Sequence, residues 1–208
     1  PTVSAANGHT LKRIPPGSFT LGTPRNDQGR QANEGQRPIT LTRHFYLSTT
    51  EVTNAQFRTF LGSHVSGVTG RQTLDNEQQP VVRVSWLQAV RYCNWLSAQQ
   101  GLTPAYTHEG ELITPVGTGY RLPSEAEWAW AARHALQPTP LRYPWGAAMP
   151  PPPGSGNFAD ERAKALVNDW MAGYDDGYAA SAPVGRYAVS RVGLFDMGGN
   201  VSEWMHDR

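Results

Sequence analysis

Glycine and proline interrupt this chain so often that they limit the length of any helix or strand it can form. The 208 residues include 21 Gly and 17 Pro, whereas charged residues make up 17% and hydrophobic residues 38%. Gly permits positive φ angles and Pro removes a backbone donor, so both residues end regular elements and favour turns. The composition therefore predicts a compact, loop-rich globule rather than a helical bundle or a disordered chain.

Short strands are predicted near the start of the chain. A turn at Pro15 to Gly17 precedes a short alternating segment that ends at Gly22. Residues 26–36 are polar and contain Gly, which predicts a loop. Residues 38–42 and 45–47 are rich in β-branched and aromatic side chains, which indicates two further strands.

Three helices are predicted next, because a capping-box pattern occurs three times. In this pattern a Ser or Thr hydroxyl caps the first turn, and a Glu or Gln three residues later reaches back to the backbone N–H of the cap. The pairs are Thr53 with Gln56, Ser85 with Gln88, and Ser124 with Glu127. The predicted helices cover about residues 54–61, 86–100 and 125–136. Gly62, Gly101 and Pro138 are the expected stops.

The chain after Pro138 has weak helix signals and repeated glycines. Gly occurs at positions 173, 177, 185, 193, 198 and 199. Such a segment forms few regular hydrogen bonds, so bound ions would be a natural source of additional stability.

Seven strings spread along the chain carry a resemblance to a known family. They are 14–19 (IPPGSF), 50–54 (TEVTN), 80–86 (PVVRVSW), 92–96 (YCNWL), 120–128 (YRLPSEAEW), 143–146 (YPWG) and 193–204 (GLFDMGGNVSEW). In this order they resemble the formylglycine-generating enzyme, or sulfatase-modifying factor, family. The resemblance implies an α+β fold, the loop-rich variant of the C-type-lectin fold with little regular secondary structure. It also implies one domain over residues 1–208 that would lack the family's C-terminal portion.

The resemblance implies one or two structural calcium ions. The first site would use the Asn157 and Asp176 side chains with the Phe158 and Tyr178 carbonyls. The second would use Asp196 and Glu203 with the Gly199 and Val201 carbonyls. Calcium accepts six to eight oxygen ligands, and backbone carbonyls suit it as well as carboxylates. The alternative is that these Asp, Asn and Gly residues form ordinary turns whose side chains bond only to their own backbone.

Catalysis of the family type needs copper held by two cysteine thiolates, a ligand type that selects Cu(I). Cys93 is the single cysteine of the chain, so no such pair and no intrachain disulfide can form within residues 1–208. Its position within a predicted helix, beside Tyr92 and Trp95, favours a buried free thiol. We therefore assign no catalytic residue, and copper would be relevant only if downstream cysteines exist.

Two functions remain open. The first is a binding or scaffold module for a protein, peptide or glycan, favoured by the missing thiolate pair and by Ser202, where many catalytic members have Trp. The second is a formylglycine-generating oxidase that converts a sulfatase cysteine with oxygen and copper. The net charge of +1 argues against nucleic-acid binding, and no apolar run is long enough to cross a membrane. A bacterial protein in a periplasmic or extracellular location is expected.

Overall fold

The computed structural model describes residues 1–27, 32 and 34–207, and part of the predicted loop at 26–36 lies outside them. Within these described residues, seven short strands pair in three small antiparallel sheets. The strands are β1 (Thr2–Ser4), β2 (Thr10–Ile14), β3 (Gly17–Leu21), β4 (Arg37–Leu41), β5 (Phe45–Ser48), β6 (Val68–Thr69) and β7 (Gln72–Thr73). The sheet orders are β1-β2-β5, β3-β4 and β6-β7.

The register of the sheets places apolar side chains toward the core. Ile14 at the end of β2 is opposite Phe45 and is fully buried, and Leu21 at the end of β3 is also buried. The exposure pattern of β3 alternates along its length, as expected for a strand with one buried face. The strands predicted at 38–42 and 45–47 are confirmed within one residue at each end.

All three helices begin at the predicted caps. They are α1 (Asn54–Phe60), α2 (Trp86–Gln99) and α3 (Glu125–Arg133), and each has a complete capping box. The end of α3 differs from the prediction, since the helix stops at Arg133 rather than near Leu136. His134 leaves helical geometry with φ −121° and Leu136 has φ +59°, so the chain turns before Pro138 is reached.

From residue 134 to residue 207 the chain is loop, apart from a 3₁₀ turn at Ala163–Ala165. It nevertheless contributes to the core, because Leu194 is 1% exposed and packs with Ile14 of β2 and the alanines of α3. The N–H of Phe195 also donates to the carbonyl of Thr49 at 2.9 Å. These contacts fix residues 193–197 against the sheet and helix, and thereby position the loop that follows.

The prediction of a loop-rich α+β fold is confirmed. Across the described ranges, no helix combines the length and apolar character needed to cross a membrane.

Candidate functional site

An open cavity of 640 Å³ lies between α3 and the C-terminal loops. Its walls come mostly from segments 157–159 and 196–203. Six of the eight residues assigned to calcium from the sequence line it, namely Asn157, Phe158, Asp196, Gly199, Val201 and Glu203. Asp176 and Tyr178 are not part of its lining. The fold therefore brings the whole second set and half of the first set to one cavity.

The second set lies on a tightly turned segment that begins at Asp196. Asp196, Gly199 and Asn200 all have positive φ angles, of 52°, 84° and 60°. Left-handed backbone reverses the chain direction within a few residues, and this places the four predicted ligands along one wall. Asp196 is 6% exposed, and its Oδ2 accepts the N–H of Gly185 at 2.5 Å. Glu203 Oε2 accepts the indole N–H of Trp128 at 2.6 Å.

The segments that carry the two sets pack backbone against backbone. The N–H of Asn200 donates to the carbonyl of Asn157 at 2.8 Å. A Cβ added at Gly199 would lie 2.0 Å from that same carbonyl oxygen, and one added at Gly156 would lie 2.3 Å from the carbonyl oxygen of Gly198. Only glycine permits this approach, so the two glycines hold the cavity walls in register.

The first set is organised around the carboxylate of Asp176. Its Oδ2 accepts the N–H of Phe158 and its Oδ1 accepts the N–H of Tyr178, both at 2.8 Å. The Asn157 side chain donates to the carbonyl of Ala180 at 2.6 Å. The four residues are therefore neighbours in the structure. The hydrogen bond from the N–H of Tyr178 to Asp176 spans two residues. It is the side-chain-to-backbone bond of an ordinary Asp turn, which is the alternative to a calcium site.

Asp160 holds the backbone of Asp176 in the first set. It is fully buried, and its carboxylate accepts the N–H groups of Arg162 at 2.8 Å and of Asp176 at 2.7 Å. Burial raises the pKa of Asp176; the backbone hydrogen bonds oppose the rise, and the charge of Asp160 adds to it. A carboxylate has about four lone-pair positions, so calcium at Asp176 would have to use those that the backbone leaves free.

Glu51 is a fifth residue beside the second set, and it was not predicted from the sequence. Its Oε1 accepts the side-chain N–H of Asn200 at 2.9 Å, while its Oε2 is buried without a hydrogen-bond donor. Asp196 Oδ1 is likewise buried without a hydrogen-bond donor. Burial raises the pKa of Glu51 to about 8, and the negative charge of Asp196 contributes to the rise. Burial likewise raises the pKa of Asp196.

These unpaired oxygens are the feature that fits a calcium ion. Buried carboxylate oxygens without donors are costly, and a hard divalent cation is a ligand that carboxylates and carbonyls satisfy together. No group of three or more His, Cys, Asp and Glu side chains comes together as a metal site among residues 1–27, 32 and 34–207. Calcium at this place would therefore depend on the carbonyl oxygens of Gly199 and Val201 as well as on side chains.

A copper site of the thiolate type does not fit the described residues. Cys93 lies in the middle of α2, is 8% exposed and packs with Val90 and Tyr106. Burial raises the pKa of its thiol to about 12, which opposes the thiolate that Cu(I) binds. The prediction of a buried, unreactive thiol agrees with this environment.

The two residues that were not predicted from the sequence, Glu51 and Asn200, both lie in strings that carry the family resemblance. Glu51 belongs to TEVTN and Asn200 to the glycine-rich string at 193–204. Their separation of 149 positions hid the contact. A signal was present nonetheless, since a Glu two residues before the Thr53 helix cap, with no nearby Lys or Arg in sequence, needs a partner from elsewhere in the fold if it is buried.

Comparison with known proteins gives the same family as the resemblance. A profile of the sulfatase-modifying factor enzyme 1-like domain matches residues 3–208. The chaperone protein LppX of Paenibacillus barcinonensis is 29% identical over 84% of this chain and 65% of its own length. The formylglycine-generating enzyme of Thermomonospora curvata is 33% identical over 66% of this chain and 36% of its own. The structure of PvdO from Pseudomonas aeruginosa superposes with a TM-score of 0.68 at 25% identity, over 99% of this chain and 73% of that protein.

The chain spans between 36% and 65% of the length of these two curated relatives. Within that span, the matched profile, the seven ordered strings and the structural superposition agree on one fold, the loop-rich variant of the C-type-lectin fold. This chain belongs to the sulfatase-modifying factor enzyme 1-like domain family.

Proposed function

We propose that this domain is a calcium-stabilised binding or scaffold module rather than an oxidase. The observation that carries the proposal is that the single thiol of the chain, that of Cys93, is buried and has no second cysteine beside it. Cys93 is enclosed by the side chains of α2 and its surroundings, and residues 1–208 contain no second cysteine to form a copper-binding pair with it. The family chemistry therefore has no thiolate pair within this chain to hold its metal.

Calcium takes a structural role in the proposal. The loops after α3 contribute little regular hydrogen bonding, yet they build the cavity and part of the core. An ion held by Asp196, Glu203 and carbonyl oxygens would join the two ends of segment 196–203. The first set at Asn157 and Asp176, with the Phe158 and Tyr178 carbonyls, would tie down the adjoining segment in the same way. Ions bound only by the native state stabilise it by mass action.

The cavity is the proposed binding surface. Its wall combines the Trp128 indole, the Met205 thioether and the small polar side chain of Ser202. Aromatic and thioether groups beside hydrogen-bonding groups are common in sites that accept peptides and other amphipathic ligands. A relative named as a chaperone supports a protein or peptide partner, and a glycan is the other partner class. A periplasmic or extracellular location belongs to the same proposal, because calcium sites of low affinity are typical of extracellular modules.

A conversion assay tests the choice between binding and oxidation. The purified chain is incubated with Cu(I), oxygen and a sulfatase-derived peptide that contains the substrate cysteine, and the peptide is followed by mass spectrometry. We expect no conversion of the cysteine to an aldehyde. In parallel, a thiol-reactive disulfide reagent should leave Cys93 unmodified in the folded protein and modify it once the protein is unfolded. Aldehyde formation, or rapid labelling of the native thiol, would contradict the proposal.

The formylglycine-generating enzyme among the relatives supports an oxidase as the second candidate. That function requires a cysteine pair outside residues 1–208. Top-down mass spectrometry of the natural protein reads any sequence that follows Arg208. Two closely spaced cysteines there would favour the oxidase, and the conversion assay would then be repeated with that longer protein.

A further inference from the structure

Residues 1–9 are joined to the helices by polar side chains rather than by a large apolar contact. β1 is exposed at all three of its residues and pairs with β2. In the 3₁₀ turn that follows, at Ala6–Gly8, the buried residue is Ala6, which packs with Phe57 of α1 and Tyr92 of α2. A methyl group buries little apolar surface, so the polar contacts determine how firmly this segment is held against the helices.

Asn7 makes the first of these polar contacts. Its φ is +55°, a left-handed conformation that asparagine adopts more readily than most residues. Its Nδ2 donates to the carbonyl of Gln56 in α1 at 2.8 Å and to the hydroxyl of Tyr92 in α2 at 2.9 Å. A carbonyl oxygen only accepts, so the donor atom of Asn7 is identified, and the oxygen of Tyr92 acts as its acceptor.

His9 makes the second polar contact, with its ring between α2 and β5. It is 5% exposed, its Nε2 lies 2.8 Å from the hydroxyl of Tyr92, and its Nδ1 lies 3.4 Å from Oγ of Ser48. Because the oxygen of Tyr92 already accepts from Asn7, its single proton is free to be donated to Nε2. The contacts are therefore satisfied by a neutral ring that accepts at Nε2 and carries its proton on Nδ1.

A proton on Nε2 would disrupt this arrangement. The ring would present an N–H to the hydroxyl of Tyr92, whose own proton would lose its acceptor. A positive charge would also be buried, and burial lowers the pKa of His9 to about 4. A solvated ring has the ordinary value of 6.5. A released segment therefore binds the proton more readily than the held one, and its population rises as the pH falls from 6.5 toward 4.

The groups around the ring do not offset a charge on it. The titratable groups on the α2 side are Tyr92 and its neighbour Cys93, and burial raises the pKa of both, so both stay neutral. In the described parts of the chain, the ion pairs do not involve His9. The charged side chains of the neighbouring elements lie elsewhere: Lys12 of β2 beside Gly193, Arg13 of β2 beside His44, Arg58 of α1 with Asp75, and Arg91 of α2 in solvent.

We propose that protonation of His9 releases residues 1–9 from α1 and α2 while the rest of the domain stays folded. Both polar contacts would be lost together, because Asn7 and His9 share the hydroxyl of Tyr92. Release would uncover the aromatic side chains that Ala6 packs against, so acid would expose an apolar surface on the two helices. This conformational change goes beyond the proposed binding function and does not depend on calcium.

The remaining contacts explain why the release is local. β2 stays paired with β5 over four residue pairs, and Ile14 at its end belongs to the core that contains Leu194. The helices also keep their own contacts, since the ring of Tyr92 lies 5.3 Å from that of Phe57 and 5.8 Å from that of Phe60. The segment that leaves has few buried apolar contacts, which is typical of units that open well below the free energy of global unfolding.

Hydrogen exchange followed by NMR at pH 7.5 and pH 5 tests this, with each rate divided by the intrinsic rate at the same pH. The reporter is the N–H of Ala5, which donates to the carbonyl of His9 at 2.8 Å. We expect its protection to fall roughly 30-fold between the two pH values, as the pKa values of 6.5 and about 4 require. The amides within α3 should keep their protection. His9→Gln should remove the pH dependence, whereas the matched control His44→Gln, at an exposed histidine, should retain it.

The other outcomes contradict the proposal. An equal fall within α3 would mean global unfolding rather than local release. Unchanged protection of Ala5, or the same fall in His9→Gln, would show that His9 does not control the segment. If His9→Gln did not fold, an NMR titration of the histidine rings of the unaltered protein would replace it. The ring of His9 should then gain its proton together with the loss of protection at Ala5, and a ring that titrates near pH 6.5 while Ala5 stays protected would overturn the proposal.

Discussion

Arg121 and Glu127 form a two-pronged ion pair at the start of α3. Nη1 of Arg121 lies 2.7 Å from Oε2 of Glu127, and Nη2 lies 2.5 Å from Oε1. Glu127 also accepts the N–H of Ser124 at 2.9 Å and so completes the capping box. One carboxylate therefore caps the helix and anchors the preceding loop, and Trp128, which contacts Glu203, follows it directly.

This geometry predicts different costs for two substitutions of Glu127. Glu127→Ala removes the cap and leaves the half-buried Arg121 without its partner, so we expect a loss of about 3 kcal/mol of unfolding free energy. Glu127→Gln keeps the capping function and should lose less. Glu125→Gln is the control, because its ion pair with Arg37 is exposed on both sides and should contribute under about 1 kcal/mol. Urea unfolding of the three variants measures this, and equal losses would contradict the assignment.

Glu127 also predicts a loss of stability in acid. Burial raises the pKa of Glu127, but the hydrogen bonds and charge of Arg121 outweigh it, and the net pKa is lowered. A carboxyl group with a lower pKa in the folded state contributes stability above its unfolded pKa, and this is lost as the pH falls through the folded value. The difference in unfolding free energy between the unaltered protein and Glu127→Gln should therefore shrink below about pH 4. A constant difference would contradict it.

His9 predicts a second pH effect at milder acidity. It is 5% exposed, and its Nε2 lies 2.8 Å from the hydroxyl of Tyr92. Burial lowers the pKa of His9 to about 4 from 6.5. The unfolded chain binds a proton below pH 6.5 and the folded protein does not, so stability falls between pH 6.5 and 4, by up to about 3 kcal/mol. A His9→Gln variant should lack this slope, while its stability near neutral pH reports the cost of the lost contacts.

The starts of the helices could be predicted from the sequence because they depend on local chemistry. Thr53, Ser85 and Ser124 each cap a helix through a residue three positions away, and such a contact is visible in the sequence itself. The end of α3 could not be predicted as well. Pro138 sets the last position a helix could reach, but the chain leaves the helix at His134, whose ring packs against Trp130 and Phe19. Tertiary packing, rather than the breaker, sets that boundary.

The candidate site was predictable only in part for the same reason. The residues on segment 196–203 follow one another in sequence, and the structure places them along one wall. The contact between Glu51 and Asn200 joins positions with no local relationship. Asp176 accepts the backbone N–H groups of Phe158 and Tyr178, yet neither Asp176 nor Tyr178 lines the cavity.

Gly199 provides a test of the close packing of the cavity walls. Its φ is +84° and an added Cβ would lie 2.0 Å from the carbonyl oxygen of Asn157. Gly154 is the matched control, because its φ is +80° and it has no atom within 4 Å of an added Cβ. We expect Gly154→Ala to cost about 1 kcal/mol from backbone strain alone. Gly199→Ala should cost clearly more and should also weaken calcium binding. Similar losses in the two variants would show that the approach of the two segments is not tight.

Calcium removal tests both proposed sites together. Exhaustive chelation should lower the melting temperature, and added calcium should restore it in a concentration-dependent manner, since an ion bound at about one hundred times its Kd stabilises the native state by about 2.7 kcal/mol. Asp196→Ala should abolish the part that depends on the second site, whereas Asp176→Ala should abolish the part that depends on the first. The two variants must be compared separately, because Asp176 accepts two backbone N–H groups and its loss can lower stability without calcium. If Asp176→Ala lowers stability equally with and without calcium, the first set is a hydrogen-bonded turn. If Asp196→Ala at the same time removes the stabilisation by calcium, the calcium is bound at the second site alone.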